Sequence, residues 1–422
     1  MKSFQDFYSV VPKNLMLANG NNVPEGKSEL EIERDLTAIS QKNKVFSTVF
    51  RGAGAYRHFI PSVVKTIVNK ETFLTAYTPY QPEISQGLLQ NIFEYQTMIC
   101  ELTGMDASNA SVYDGATGAA EAIAMCVDNK RPKALVSAAA QPDVIETVKT
   151  YCWATGTELE LIPVKDGKTD QSALSAMLND KVACVYLQQP NFFGIIEDAE
   201  EVGAMAHGAG AKFIMAVNPT AMAILKSPGE CGADIAVGEG QPLGLSLNFG
   251  GPYIGFMAAT SAMIRKLPGR IVGETTDPDG KRAFVLTLQA REQHIRRDKA
   301  SSNICSNQAL CAMTTAVYMA TLGPKGLADV ASQCMAKAHY LAQELAKVGF
   351  ERKHTGEFFH EFLTSAPADA DQIMSVLEAN GILGGLPVEG GILWCATEMN
   401  TKQEIDAMIQ LIQSARSKGG KA

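Results

Sequence analysis

The chain has 422 residues, 46% of them hydrophobic, and a formal net charge of −8 at pH 7. Chains beyond roughly 250–300 residues usually divide into domains, and the apolar content here is enough for a large core. Lysines and arginines are interspersed with acids, which excludes a general attraction to nucleic acid or anionic lipid and points to an acidic enzyme or enzyme subunit.

Residues 1–14 carry Asp6, polar residues and Pro12, with no apolar core of signal-peptide length. No stretch approaches the ~20 uninterrupted apolar residues that span a bilayer, so the cytoplasm is the expected compartment. Residues 1–60 read as an arm or helical lead-in. Next comes Ala76 to Gly87 (AYTPYQPEISQG), the most unusual stretch in the chain. Pro79 and Pro82 fix φ and keep the backbone out of helix, which predicts a stiff, extended loop presenting Tyr77, Thr78, Tyr80, Gln81 and Glu83. It is either a rigid connector to a helix over 88–102 or a binding loop, since rigid loops carrying aromatic and amide groups recur at binding sites.

From about residue 115 to 260 helical and strand-like segments alternate. Helices are expected over 118–127, from Pro142, over 172–178 and over 197–207. Continuous apolar strands are expected over 133–138, 158–164, 182–188 and 213–217. Such alternation implies a mainly parallel sheet covered by helices on both faces. Tyr113 to Gly118 opens the first helix with small residues, which suits either an anion at the helix start or close helix packing. Gln189 to Gly194 follows a strand, so Asn191 is either a ligand contact at the strand edge or a turn residue. The next feature is an absence: no lysine lies between Lys226 and Lys266, and no carboxylate ends the 213–217 strand.

The basic run Arg291, His294, Arg296, Arg297, Lys299 is interleaved with Glu292 and Asp298. It reads as a solvated helix laced by ion pairs or as an interface. The pattern changes at Gly323-Pro324. A long amphipathic helix is expected over 328–348, then strand 360–364, helix 369–379, strand 391–396 and a last helix started by a Thr401/Glu404 capping box. This is a small α+β module. The nine cysteines form no C-x-x-C pair and read as reduced core thiols, which excludes a disulfide framework or zinc ribbon. His58 and His207, taken alone, read as structural.

Four strings then carry a resemblance: Tyr77 to Gly87 (YTPYQPEISQG), Glu94 to Ile99 (EYQTMI), Leu267 to Ile271 (LPGRI) and Leu288 to Gln308 (LQAREQHIRRDKASSNICSNQ). They resemble the glycine cleavage system P-protein family, glycine dehydrogenase (decarboxylating), over nearly the whole chain. At this length the chain is similar to the N-terminal half of the fused forms, known as subunit 1 of the split enzyme. The resemblance implies an α/β fold of the pyridoxal-phosphate (PLP) transferase type I, aspartate-aminotransferase-like. Its large domain would span 61–325, with a mainly parallel sheet, and its small C-terminal domain 326–422.

In the family's catalytic half a strand-end Asp pairs with the pyridine nitrogen and a Lys forms the internal aldimine. Counting from Ser227-Pro228-Gly229 and Gly232-Ala233-Asp234 places those positions near Met215 and Pro242. A proline has no amine for a Schiff base, and a thioether cannot hold the pyridinium proton. The resemblance therefore implies no catalytic residue, no bound cofactor and no metal in this chain. PLP is expected in a lysine-bearing subunit 2, with two copies of each chain, and glycine and the lipoyl group of H-protein as substrates. Tyr77, Thr78, Tyr80, Gln81 and Glu83, with Arg57 and His58, are the residues expected to line the partner's pocket. Arg291, His294, Arg296 and Arg297 are interface candidates. The competing expectations are a scaffold that stabilises the partner and docks the lipoyl protein, and an independent PLP enzyme of the cysteine-desulfurase type.

Overall fold

A computed structural model describes residues 4–17, 21–76, 79–300, 302, 304 and 307–419. The chain forms two compact units, Met1–Phe46 and Ser47–Ala422. Residues 47–60 are thus built into the second unit, where Thr48–Val49 pairs in parallel with Ile382–Leu383. In the first unit, helix α1 (Glu29–Ser40) is started by a capping box: the Glu31 backbone N–H donates to Ser28, and the Ser28 backbone N–H donates to Glu31.

The second unit is organised by a seven-stranded sheet. Its strands are β1 (Ala107–Ser108), β2 (Lys133–Ser137), β3 (Glu158–Ile162), β4 (Val182–Gln189), β5 (Lys212–Val217), β6 (Ile235–Glu239) and β7 (Gly255–Ala259). The spatial order is β1-β7-β6-β5-β4-β2-β3. All pairings from β3 across to β6 are parallel, and β7 is antiparallel to both its neighbours. Both faces are covered by helices, which is why the central strands read as unbroken apolar runs. Alternate side chains still separate by face. Leu135, Val185, Phe213, Met215 and Val217 enter one core with Tyr95 and Ile99 of α2 (Gln86–Thr103) and Val202 of α5 (Ala199–Gly208). Ala134, Val136, Tyr186, Ile214 and Ala216 enter the other, against α3 (Gly115–Cys126) and α4 (Pro142–Thr155).

Helix α6 (Ala309–Lys347) starts well before residue 328. It breaks at Gly323, whose φ of 62° and ψ of 177° leave the helical region, with Pro324 following. The change of pattern at this dipeptide is a kink between two helices rather than a first helical residue. Beyond it, α7 (Ala370–Ala379) and α8 (Lys402–Gly419) cover a three-stranded antiparallel sheet. Its strands are β8 (Glu361–Thr364), β9 (Leu386–Val388) and β10 (Gly391–Cys395). The Thr401/Glu404 box caps α8 as expected, the Thr401 backbone N–H donating to Glu404 at 2.7 Å. Trp394 anchors this core: it is fully buried and donates Nε1–H to Thr364 at 3.0 Å. The eight described cysteines are free thiols, and all but Cys100 are buried; Cys305 lies outside the described residues.

Candidate functional site: an acidic cavity at the sheet edge

Parallel strands deliver their C-terminal ends to one edge of the sheet, where open α/β folds bind ligands. A cavity of about 310 Å³ lies there. Tyr186 and Gln188 of β4, Ala216 and Val217 of β5, and Gly238 and Glu239 of β6 form its floor. The starts of α3 and α4, residues 53–56, Asn218 and the His360-Glu361 pair close its walls.

The α3 start is an anion site that the chain fills itself. Asp114 caps the helix, accepting from the Thr117 backbone at 2.8 Å. The next backbone N–H, that of Gly115, donates to Glu239 Oε2 at 3.0 Å. Glu239 Oε1 accepts from the backbones of Gln241 at 3.0 Å and Ile254 at 3.4 Å. Only glycine allows this approach, because a Cβ at Gly115 would stand 2.8 Å from the Glu239 nitrogen. Burial pushes the Glu239 carboxyl up to about 7, against the three N–H donors that favour its anion, with Asp114 adding repulsion.

A second buried carboxyl closes the opposite wall. Tyr56 donates its hydroxyl to Glu361 Oε2 at 2.6 Å, and the Ala53 N–H donates to Oε1 at 2.6 Å. Burial likewise raises Glu361 to about 7. The backbone at Ala53 and Gly54 turns through positive φ (62° and 102°) to make the contact. Gln241 locks the same segment, accepting from Tyr56 N at 2.8 Å and donating to Tyr56 O at 2.9 Å. The His360 ring lies 4.4 Å from the Tyr56 ring, and burial, then the neighbouring His58, hold it well below its ordinary value. It is a neutral imidazole at pH 7. Among the described residues lining the cavity there are four acids (Asp114, Asp143, Glu239, Glu361), one neutral histidine, and no lysine or arginine.

Several residues picked out by sequence are placed differently. Pro242 does line the cavity. Met215, by contrast, is buried in the core on the other face of β5, and Ala216 is the side chain at the cavity wall. A period of two puts these adjacent positions of β5 on opposite faces of the sheet. Asn191 borders the cavity, but its amide is fully used: Nδ2 donates to Gly167 O and Glu197, and Oδ1 accepts from Phe193 and Ile195. The turn reading holds there.

Tyr77 and Thr78 lie outside the described residues. The described part of their loop folds as turns rather than an extended strand, with Ser85 N donating to Gln81 O at 3.0 Å. Tyr80 is half-buried, donates to Asn307 and lies under the Arg270 guanidinium at 5.5 Å, whereas Gln81 and Glu83 are exposed. Arg57 is exposed. His58 is buried and bonded through Nδ1 to Glu398 at 2.8 Å, which ties the segment before α2 to the loop after β10. None of these five lines the 310 Å³ cavity.

The basic run is not one helix. Only Gln293–Arg296 is α-helical, and Arg291 is half-buried, donating to the carbonyls of Leu267 and Gly269. Burial, then Arg270, lowers Arg291 to about 10. His294, Arg296 and Arg297 are exposed. The residues that sequence reasoning missed are Tyr56, Glu239, His360 and Glu361. For Glu239 a signal existed, since an acid ends an otherwise apolar strand where an α/β crevice opens.

The description "Glycine cleavage system P-protein" matches residues 1–412. The chain is 47% identical to "Probable glycine dehydrogenase (decarboxylating) subunit 1" of Desulfitobacterium hafniense, over 96% of this chain and 94% of that one. This chain belongs to the glycine cleavage system P-protein family. A crystal structure of glycine decarboxylase (P-protein) in inhibitor-bound form superposes with a TM-score of 0.92 at 40% identity, covering 98% of this chain and 95% of that one. An alanine–glyoxylate aminotransferase from Nostoc, 16% identical, gives 0.63 over 95% of this chain and all of that one, which speaks to the fold alone.

The P-protein family is PLP-dependent, and the cavity stands at the C-terminal ends of the parallel strands, where open α/β folds bind ligands. The residues present do not fit it. Among the described residues no amine lines the cavity to condense with the aldehyde, and no acid projects from β5 toward a ring nitrogen. The helix N-terminus that would receive the phosphate is already hydrogen-bonded to Glu239, beside Asp114. A phosphate dianion would have to displace one carboxylate and sit against another, at close range in a low-dielectric site.

Proposed function

We propose that this chain is the subunit-1 component of a glycine dehydrogenase (decarboxylating), active only with a lysine-bearing subunit 2 that holds PLP. The joint reaction takes glycine and the lipoyl group of H-protein to carbon dioxide and an aminomethyl-dihydrolipoyl group, in the cytoplasm, with two copies of each chain. Residues 61–325 act as the large domain and 326–422 as the small one, with residues 1–46 as the arm and residues 47–60 built into the second unit. The observation that carries this reading is Glu239 bonded to the α3 start in a cavity whose described lining holds no amine. A chain so built has no use for the cofactor itself and must borrow the chemistry.

Tyr77, Thr78, Tyr80, Gln81 and Glu83, with Arg57 and His58, are proposed to complete the partner's pocket, and Arg291, His294, Arg296 and Arg297 to lie toward it. Support comes from Tyr80, Gln81 and Glu83 lying away from this chain's own cavity, with Gln81 and Glu83 exposed. The test is a glycine–bicarbonate exchange assay on each subunit alone and on the mixture, with PLP supplied. Activity in the mixture alone, with no absorbance near ~420 nm on this chain, is the expected result. A borohydride-sensitive pigment and exchange on this chain by itself would overturn it.

A further inference from the structure

His58 is one corner of a buried polar trio that stands apart from the acidic cavity. It lies in the segment before α2, Cys334 in α6 beyond the break at Gly323, and Glu398 in the loop after β10. Cys334 is fully buried, and the His58 and Glu398 side chains are 2% and 9% exposed. Their donor atoms converge. His58 Nδ1 lies 2.8 Å and Cys334 Sγ 3.3 Å from the same oxygen, Glu398 Oε2. All three donors are within 4.8 Å of one another. The other oxygen, Oε1, accepts from the Phe59 backbone N–H at 2.7 Å, which fixes the carboxylate's orientation. Lys337 bonds the Glu398 backbone carbonyl rather than its carboxylate. Hydrogen bonding alone does not account for a histidine here. Its Nε2 is buried and unpartnered among the described residues, a cost that a shorter donor would avoid.

We propose that His58 Nδ1, Cys334 Sγ and Glu398 Oε2 form a three-donor site for a divalent cation of the zinc type. Imidazole, thiolate and carboxylate are zinc donors, whereas calcium and magnesium take oxygen alone. Donors held about 2.0–2.3 Å from one tetrahedral ion stand roughly 3.3–3.6 Å apart, so the trio opens by about 0.3–0.5 Å to admit it. The ion replaces two hydrogen-bonded protons. The Cys334 thiol loses its proton to solvent, and the His58 proton moves from Nδ1 to Nε2. Thiolate and carboxylate then balance the two charges of the dication, as a buried ion requires. The fourth position is left to a small ligand such as water. The site departs from the metal-free chain that the resemblance implies, because donors at 58, 334 and 398 show no ligand spacing. It ties together segments 340 and 64 residues apart, which gives the ion a structural task.

The test uses the full-length chain, stripped with a chelator and titrated with Co2+ as a spectroscopic stand-in for Zn2+. One equivalent should bring up a cobalt–thiolate charge-transfer band, which Zn2+ then bleaches. Cys334→Ser should abolish that band and weaken Zn2+ binding by about 100-fold or more. Zn2+ at a hundredfold excess over its dissociation constant should raise the wild-type melting temperature by about 3 °C, and that of the variant by less than about 1 °C. Each shift is read within one protein, so a lower starting stability of the variant does not blur it. If the serine variant fails to fold, Cys334→Ala takes its place with the same expected results. Absence of the band in the wild type overturns the proposal. So does a band that survives in the variant, which would place the ion on other thiols. Zn2+ that leaves the wild-type melting temperature unchanged overturns it equally. None of these outcomes depends on the partner subunit.

Discussion

Glu239 offers a direct measurement of the filled anion site. Its carboxyl is raised from an ordinary 4.5 to about 7, first by burial. An acid with a raised value in the folded state binds its proton more tightly folded than unfolded. Its contribution is therefore fully present below pH 4.5 and is lost as pH rises through 7. At about 1.4 kcal/mol per pH unit, the loss between pH 4.5 and 8 comes to roughly 3 kcal/mol. For a chain of 422 residues, with unfolding entropy near 2 cal/mol/K per residue, that is about 3–4 °C of melting temperature. Glu239→Gln cannot ionise and lacks this dependence, whatever the variant's absolute stability. The difference in melting temperature, wild type minus variant, should fall by about 3 °C from pH 5 to pH 8. Scanning calorimetry on the two proteins across that range is the assay. A difference that stays flat, or that rises with pH, would mean Glu239 is ionised at its ordinary value and the helix start is not closed by a buried carboxyl.

Gly115→Ala forces a methyl to 2.8 Å from the Glu239 nitrogen, a backbone atom that cannot swing away. It should lower stability by about 1–3 kcal/mol in the isolated chain, read by thermal melting. Trp394→Ala empties a fully buried site and removes the N–H that Thr364 Oγ1 accepts, leaving that hydroxyl its donation to the Ile392 carbonyl. A loss of about 3–5 kcal/mol is expected, and chemical denaturation monitored by circular dichroism would register it. Tyr80→Phe combined with Gln81→Ala, in the assembled enzyme, is expected to cut glycine decarboxylation by at least about tenfold with sedimentation unchanged. Full turnover by that variant would favour a scaffolding subunit.

Much of the architecture was legible because it is local or repetitive. The apolar runs 133–138, 182–188 and 213–217 became adjacent parallel strands, since a strand buried on both faces can carry no polar alternation. The Thr401/Glu404 box announced its helix because its partners are three residues apart. The missing lysine between 226 and 266 was visible for the same reason: an absence along the chain needs no coordinates.

What the sequence could not reveal is which side chains meet. Glu239 and Gly115 are 124 residues apart, and Tyr56 and Glu361 are 305 apart. Nothing local distinguishes Glu361 among the 45 acidic residues of the chain, and the strand-end place of Glu239 does not tell which helix start it meets. Met215 and Ala216 differ by one position, and only the register of β5 against β4 decides which faces the cavity. The stiff loop expected from Pro79 and Pro82 became turns once Ser85 found the Gln81 carbonyl. Propensity and spacing are properties of neighbours in sequence and fix the elements. The charge of a cavity is set by groups brought together across the sheet, and only the packed fold determines it.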